Sequence, residues 1–106
     1  QKNHVTVKEI VKKINKNWNN SSKITYLKKN SNEPHESKYL KLDISKAKSQ
    51  LKWKNVYDID QTISETTNWY KSYYEESSSM YDITCDQIIN YVQCAQKMKL
   101  DWSKTK

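Results

Sequence analysis

Glycine is absent from all 106 residues of this chain, and that absence removes whole classes of function before any motif is read. Glycine serves turns at positive φ and lets a backbone approach a phosphate closely. Without it no glycine-rich phosphate loop can be built. For a complete α/β enzyme domain such a composition is anomalous. Proline is almost absent too, with Pro34 alone.

A chain of this length forms one domain at most, with a lean core. Hydrophobic residues make up 35%, below the usual globular share, so burial depends heavily on the four Trp and eight Tyr. The net charge of +7 invites a nucleic-acid reading. The cations are all Lys, however, and they are spread along the chain. Arg, the preferred residue for bidentate phosphate and base recognition, is missing. No nucleic-acid motif accompanies the charge, so a solvated Lys-rich surface is expected rather than a nucleic-acid partner. Cys85 and Cys94 lie nine positions apart, and His4 and His35 are too distant to complete a zinc spacing. No leader or long apolar run is visible, which points to a cytoplasmic chain with free thiols and no membrane partner.

The expected architecture is α+β and mainly helical, with about four helices and two short strands. Thr6 and Glu9 make a capping-box pattern, followed by Val7, Ile10, Val11, Ile14 and Trp18 at helical spacing. The polar run 19–22 should end that helix. Residues 23–28 and 38–42 are β-prone and read as strands. Ser45 is placed as the N-cap of a short helix reaching Leu51. Trp53 and Val56 fall in an extended or turn segment. Asp58 and Gln61 open a longer helix with Ile59, Ile63, Thr66, Tyr70 and Tyr73 on one side and Trp69 flanking. Thr84 and Gln87 match a third capping box ahead of Ile88, Ile89, Tyr91 and Val92. Residues 101–106 are expected to fray.

Three segments carry a resemblance. They are Pro34 to Trp53, then Asp58-Ile59-Asp60-Gln61-Thr62-Ile63, and Thr67-Asn68-Trp69-Tyr70. Together they resemble the C-terminal, substrate-binding part of extended short-chain dehydrogenases that act on nucleotide sugars. In that family an Asp-x-Ser-Lys-Ala helix is followed by Leu-Gly-Trp-x-Pro. His35, Glu36, Tyr39, Leu40, Leu42 and Asp43 resemble the CDP-glucose 4,6-dehydratase branch in particular, as do Gln87, Ile88 and Tyr91 near the end. The resemblance covers roughly residues 7–92. It departs at Lys52, where the family has Gly, and at Asn55, where it has Pro. Lys52 must then take a costlier left-handed geometry, or the turn must differ.

The resemblance implies a parent enzyme that converts CDP-glucose to CDP-4-keto-6-deoxyglucose with NAD. It also implies that residues 1–106 are one C-terminal substrate-binding fragment, with the NAD-binding Rossmann domain absent. The family's Tyr-x-x-x-Lys pair is missing, since none of the eight Tyr has a Lys four residues on. No catalytic residue, metal ligand or cofactor is therefore expected in this chain, and the fragment alone should be inactive.

The resemblance places His35, Glu36 and Tyr39 at the nucleotide-sugar cleft. His35 and Glu36 could instead cap a loop running into a strand, and Tyr39 could be a half-buried strand residue. Asp43 and Ser45 read as capping groups, Lys46 as solvated, and Trp18, Trp53 and Trp69 as packing residues. Two other functions stay open. One is a stand-alone, non-catalytic binding module descended from the same domain, self-associating through its exposed interface. The other is a basic nucleic-acid binder, separable by the salt dependence of binding.

Overall fold

The computed structural model describes residues 4–19, 22–28, 32, 41–76 and 79–105. Four α-helices follow in order: α1 (Val7–Asn17), α2 (Ser45–Leu51), α3 (Ile59–Glu75) and α4 (Met80–Lys97). A 3₁₀ turn, Asp101–Ser103, follows α4.

No strand occurs among the described residues, so the α+β expectation gives way to an all-helical one. Residues 23–28 and 41–42 have no regular structure, and the rest of the expected second strand lies outside the described residues. A strand exists only when a neighbour completes its ladder, and two short strands bury too little to hold each other. Leu27 is accordingly 91% exposed. Tyr26 lies instead under the Lys8 ammonium, 4.9 Å from the ring centroid.

Local chemistry sets most helix starts. The Thr6 hydroxyl accepts from the Glu9 N–H at 3.2 Å, and the Glu9 carboxylate accepts from the Thr6 N–H at 2.7 Å. Both halves of the expected capping box are present. Asp58 caps α3 by accepting from the Gln61 N–H at 2.7 Å. Ser45, however, is the first residue of α2 and not its cap. Ile44 holds the cap position, with no side-chain cap bond, and Asp43 before it accepts from the Ser45 N–H at 2.9 Å and from the Ser45 hydroxyl. The helix expected to open at Thr84 opens four residues earlier, at Met80, with Ser79 as its cap.

Helix ends show how the fold manages without glycine. Asn19, Lys52, Glu76 and Lys99 all sit at positive φ, between 48° and 66°. Lys52, at φ 54°, lets the Lys52 and Trp53 N–H groups both reach the Ala47 carbonyl. The left-handed turn is kept with the wrong residue for it, at a cost of about 1–2 kcal/mol.

Helices α3 and α4 form an antiparallel hairpin. The Trp69 Nε1–H donates to the Thr84 hydroxyl at 2.9 Å. The Gln87 side-chain amide donates to the Glu65 carbonyl at 2.8 Å. Helix α1 lies along α3, with Lys13 paired to Asp60 and Trp18 set edge-on to Tyr74. Beyond α4 the Trp102 ring stacks on Tyr91 at 6.0 Å, and Ser103 is buried. The 3₁₀ turn, expected to fray, is thus packed, and residues 104–105 beyond it are exposed. Helix α2 packs against no other element among the described residues.

The core is thin. Ile63, Thr67, Ala95 and Ser103 are the buried positions among the described residues, and no large side chain is fully buried. Ile59, Ile63 and Thr67 supply the inner stripe of α3, whereas Thr66, Tyr70 and Tyr73 face solvent. The Cα radius of gyration is 17.6 Å, against about 13 Å for a compact chain of this length.

Two substitutions separate packed from unpacked helix ends. Lys99→Gly relieves the left-handed strain between α4 and the packed 3₁₀ turn and should raise Tm by several degrees, a gain of about 1 kcal/mol. Lys52→Gly, at the end of the unpacked α2, should leave Tm unchanged. Thermal melts followed by circular dichroism distinguish the two, and equal shifts would contradict this difference.

Candidate functional site

A shallow groove of about 320 Å³ opens between α3 and α4. Glu65 and Trp69 line it from α3, one turn apart on one face. Thr84, Gln87, Ile88 and Tyr91 line it from α4 at the spacing i, i+3, i+4, i+7. Tyr57, from the segment before α3, closes one end with its ring edge-on to Tyr91 at 5.1 Å.

The two hydrogen bonds of the hairpin form part of this wall. The Thr84 hydroxyl accepts from Trp69 and donates to the Met80 carbonyl at 2.7 Å. Gln87 is tied to the Glu65 backbone. These bonds fix the rotamers of three lining residues. Burial pushes the Tyr57 phenol above its ordinary value of 10.0, and the Glu65 carboxylate adds to the shift. A charged phenolate would lose water there and face a second negative charge.

A second hollow, of about 350 Å³, lies at the hairpin tip between Tyr73, Tyr74, Glu76 and Met80. It is lined by exposed side chains, with Tyr74 70% exposed, and brings no reactive groups together.

His35, Glu36 and Tyr39, which the sequence places at a substrate cleft, lie outside the described residues. Asp43 is exposed, and the Ser45 hydroxyl, then its N–H, hold the carboxyl below its usual range. Lys46 is exposed at the start of α2, as a solvated Lys would be. Trp18 and Trp69 pack on ring neighbours. Asp101 is held low by its bond to Lys104. Among the described residues no cluster of three His, Cys, Asp or Glu could hold a metal, and no helix is long and apolar enough to cross a membrane. Cys85 and Cys94 are both free thiols.

Sequence reasoning missed the groove. Thr84 and Gln87 read as a capping box, but the same three-residue spacing puts two side chains on one helix face. Ile88 and Tyr91 extend that face, and this fourfold pattern was the available signal.

Among the described residues the fold is helical with an aromatic-walled groove, and a chain without glycine has no glycine-rich phosphate loop. Over 68 residues the chain is 37% identical to the CDP-glucose 4,6-dehydratase of Salmonella typhimurium strain LT2. The match takes in 64% of this chain but 18% of that relative, so the chain spans less than a fifth of its length. The likeness is therefore to part of a nucleotide-sugar dehydratase. No protein-family profile matches the chain, and no solved structure matches it.

The titration of Tyr57 tests the groove's electrostatics. Its raised pKa means that the folded state holds the phenolic proton more tightly than the unfolded state. The resulting stability is complete below the unfolded value, near 10, and is lost as pH rises through the folded value. Phenolate absorbance should show one Tyr titrating later than the rest, and Tyr57→Phe should remove that late component. Retention of the late component in Tyr57→Phe would contradict the assignment.

Proposed function

We propose that this chain is the C-terminal, substrate-side part of a nucleotide-sugar 4,6-dehydratase of the CDP-glucose kind. The observation that carries this reading is the 37% identity over 68 residues to such an enzyme. The motif residues from His35 to Ala47, with the turn kept at Lys52, support it. In the complete reaction the sugar C4 is oxidised by NAD, water leaves across C5–C6, and hydride returns to C6. This chain's share is to hold the nucleotide sugar. His35 donates a hydrogen bond to a phosphate oxygen, Glu36 accepts one from a hydroxyl, and Tyr39 lines the pocket.

NAD belongs to a different part of such an enzyme. The N-termini of α1, α3 and α4 are already capped by Thr6, Asp58 and Ser79. Each also carries an acid in its first turn: Glu9, Asp60 and Asp82. An acidic first turn repels a pyrophosphate, and there is no glycine to bring a backbone close to one. The described residues do not fit the cofactor. With no Tyr-x-x-x-Lys pair, the chain supplies no acid or base for hydride transfer.

A second reading is favoured by the unburied apolar faces. Val7, Leu27, Leu51 and Tyr81 are all largely exposed. A non-catalytic module that associates with itself through such faces would bury them, because contiguous exposed apolar area favours association.

Calorimetric titration of the full chain with CDP-glucose tests the first reading. CDP-glucose should bind, and His35→Ala or Glu36→Gln should each weaken binding about tenfold, as the loss of one charge-assisted hydrogen bond does. No keto-sugar should form when NAD is added. Failure to bind CDP-glucose, together with concentration-dependent self-association in sedimentation, would replace the first reading with the second.

A further inference from the structure

We propose that α1 and the segment 22–28 beside it form a docking surface for an anionic lipid membrane. Lys8, Lys12, Lys16, Lys23 and Lys28 meet the headgroups, and Leu27, with Val7 and Tyr26, enters the interfacial layer. The proposal rests on neither reading of function given above. Among the described residues no helix is long and apolar enough to cross a membrane. A helix that lies on the surface needs neither property.

The charge is unevenly placed. Lys residues run the length of the chain, but acids do not. Residues 1–29 hold eight Lys and one acid, Glu9, and so carry the whole net charge of +7. Residues 30–106 hold eleven Lys and eleven acids and are balanced.

The fold gathers this charge on one side of α1. Lys8, Lys12 and Lys16 recur every four residues along the helix, and all three are exposed. Lys13 is the one turned to α3, where it pairs with Asp60. Segment 22–28 runs back beside α1. The Ser22 N–H donates to the Asn15 side-chain oxygen at 3.2 Å, and the Tyr26 ring lies 4.9 Å from the Lys8 ammonium. These anchors lie two helical turns apart, so the segment is antiparallel to the helix. Its return adds the exposed Lys23 and Lys28 to the row. Behind α1, helices α3 and α4 carry Asp60, Glu65, Glu75, Asp82 and Asp86 against Lys71 and Lys97. The molecule is thus polarised and meets an anionic surface with α1 foremost.

Apolar side chains stand among these cations. Leu27 is 91% exposed, next to Tyr26 at the end of α1 where Val7 is 76% exposed. A lipid surface offers both things this patch needs, negative headgroups for the Lys row and hydrocarbon for Leu27 and Val7. A Tyr suits the boundary between the two. A nucleic acid offers the charge but no place for Leu27. One face of the Tyr26 ring is already taken by Lys8, and Arg is absent from the chain. Base stacking and bidentate phosphate contacts therefore have little to build on.

Flotation of the full chain with vesicles, at about 0.15 M salt, tests the surface. Vesicles of phosphatidylcholine with about a third phosphatidylserine should carry the chain, and phosphatidylcholine alone should not. Leu27→Asn should weaken binding to the anionic vesicles about tenfold, through loss of its buried apolar area. Lys12→Gln combined with Lys16→Gln should weaken it at least about tenfold. All three side chains are exposed, so thermal melts should be unchanged, which separates lost docking from lost folding. Single-stranded poly(U), titrated in the same buffer, should bind more weakly than the anionic vesicles. No flotation with anionic vesicles, unchanged affinity in Leu27→Asn, or tighter binding to poly(U) would each overturn the proposal.

Discussion

Two side-chain hydrogen bonds hold the α3–α4 hairpin in register, and everything placed around the groove depends on them. The Trp69 indole reaches Thr84, and Gln87 reaches the Glu65 carbonyl. In a protein with a larger core, interdigitating apolar side chains would set that register. Here the buried apolar positions among the described residues are Ile63 and Ala95. A net gain of about 1 kcal/mol per hydrogen bond is modest in a full-sized domain. It is a large share where so little area is buried. The same bonds orient Trp69 and Thr84 at the groove and keep Glu65 beside Tyr57.

The lack of glycine shapes the rest. Four non-glycine residues sit in the left-handed region where helices end. Asn19 takes that geometry readily, because a short polar side chain tolerates it. Lys52, Glu76 and Lys99 do so at a cost. Strain at these turns and a thin core both reduce stability, and the extended dimensions fit a helical surface made to be covered. Leu51, 77% exposed on a helix that touches no other element among the described residues, is the plainest instance.

Local signals in the sequence were the legible ones. The Thr6–Glu9 box and the Asp58 cap depend on side chains three residues apart, and both are present. The Leu-x-Trp turn, whose family residue is Gly, left Lys52 either a left-handed geometry or a different turn, and the first is found. The strands were not legible because β propensity reports only fitness for a ladder, and among the described residues no segment pairs with 23–28 to form one. Thr84 and Gln87 were misread because a capping box and a helix face share one spacing. Tertiary contacts decided between the two, through Trp69 and the Glu65 carbonyl. Trp102 was assigned to a frayed end because its stacking on Tyr91 depends on the turn at Lys99, which no local pattern announces. The resemblance placed His35, Glu36 and Tyr39 at a cleft and took in Trp69, Gln87, Ile88 and Tyr91, whereas the convergence of these last four with Tyr57, Glu65 and Thr84 on one groove came from the fold.

The partial likeness to a CDP-glucose 4,6-dehydratase supports a piece of a nucleotide-sugar dehydratase, and the substrate-side role proposed for it requires a cofactor-binding unit beside it. The mass of the native protein, determined by immunodetection and intact mass spectrometry from its own cells, tests this most directly. A substrate-side unit should be found in a polypeptide or stable complex well above 12.7 kDa that also carries an NAD-binding domain. A free species of 12.7 kDa with no NAD-binding partner would contradict the dehydratase reading and leave a self-sufficient binding module in its place.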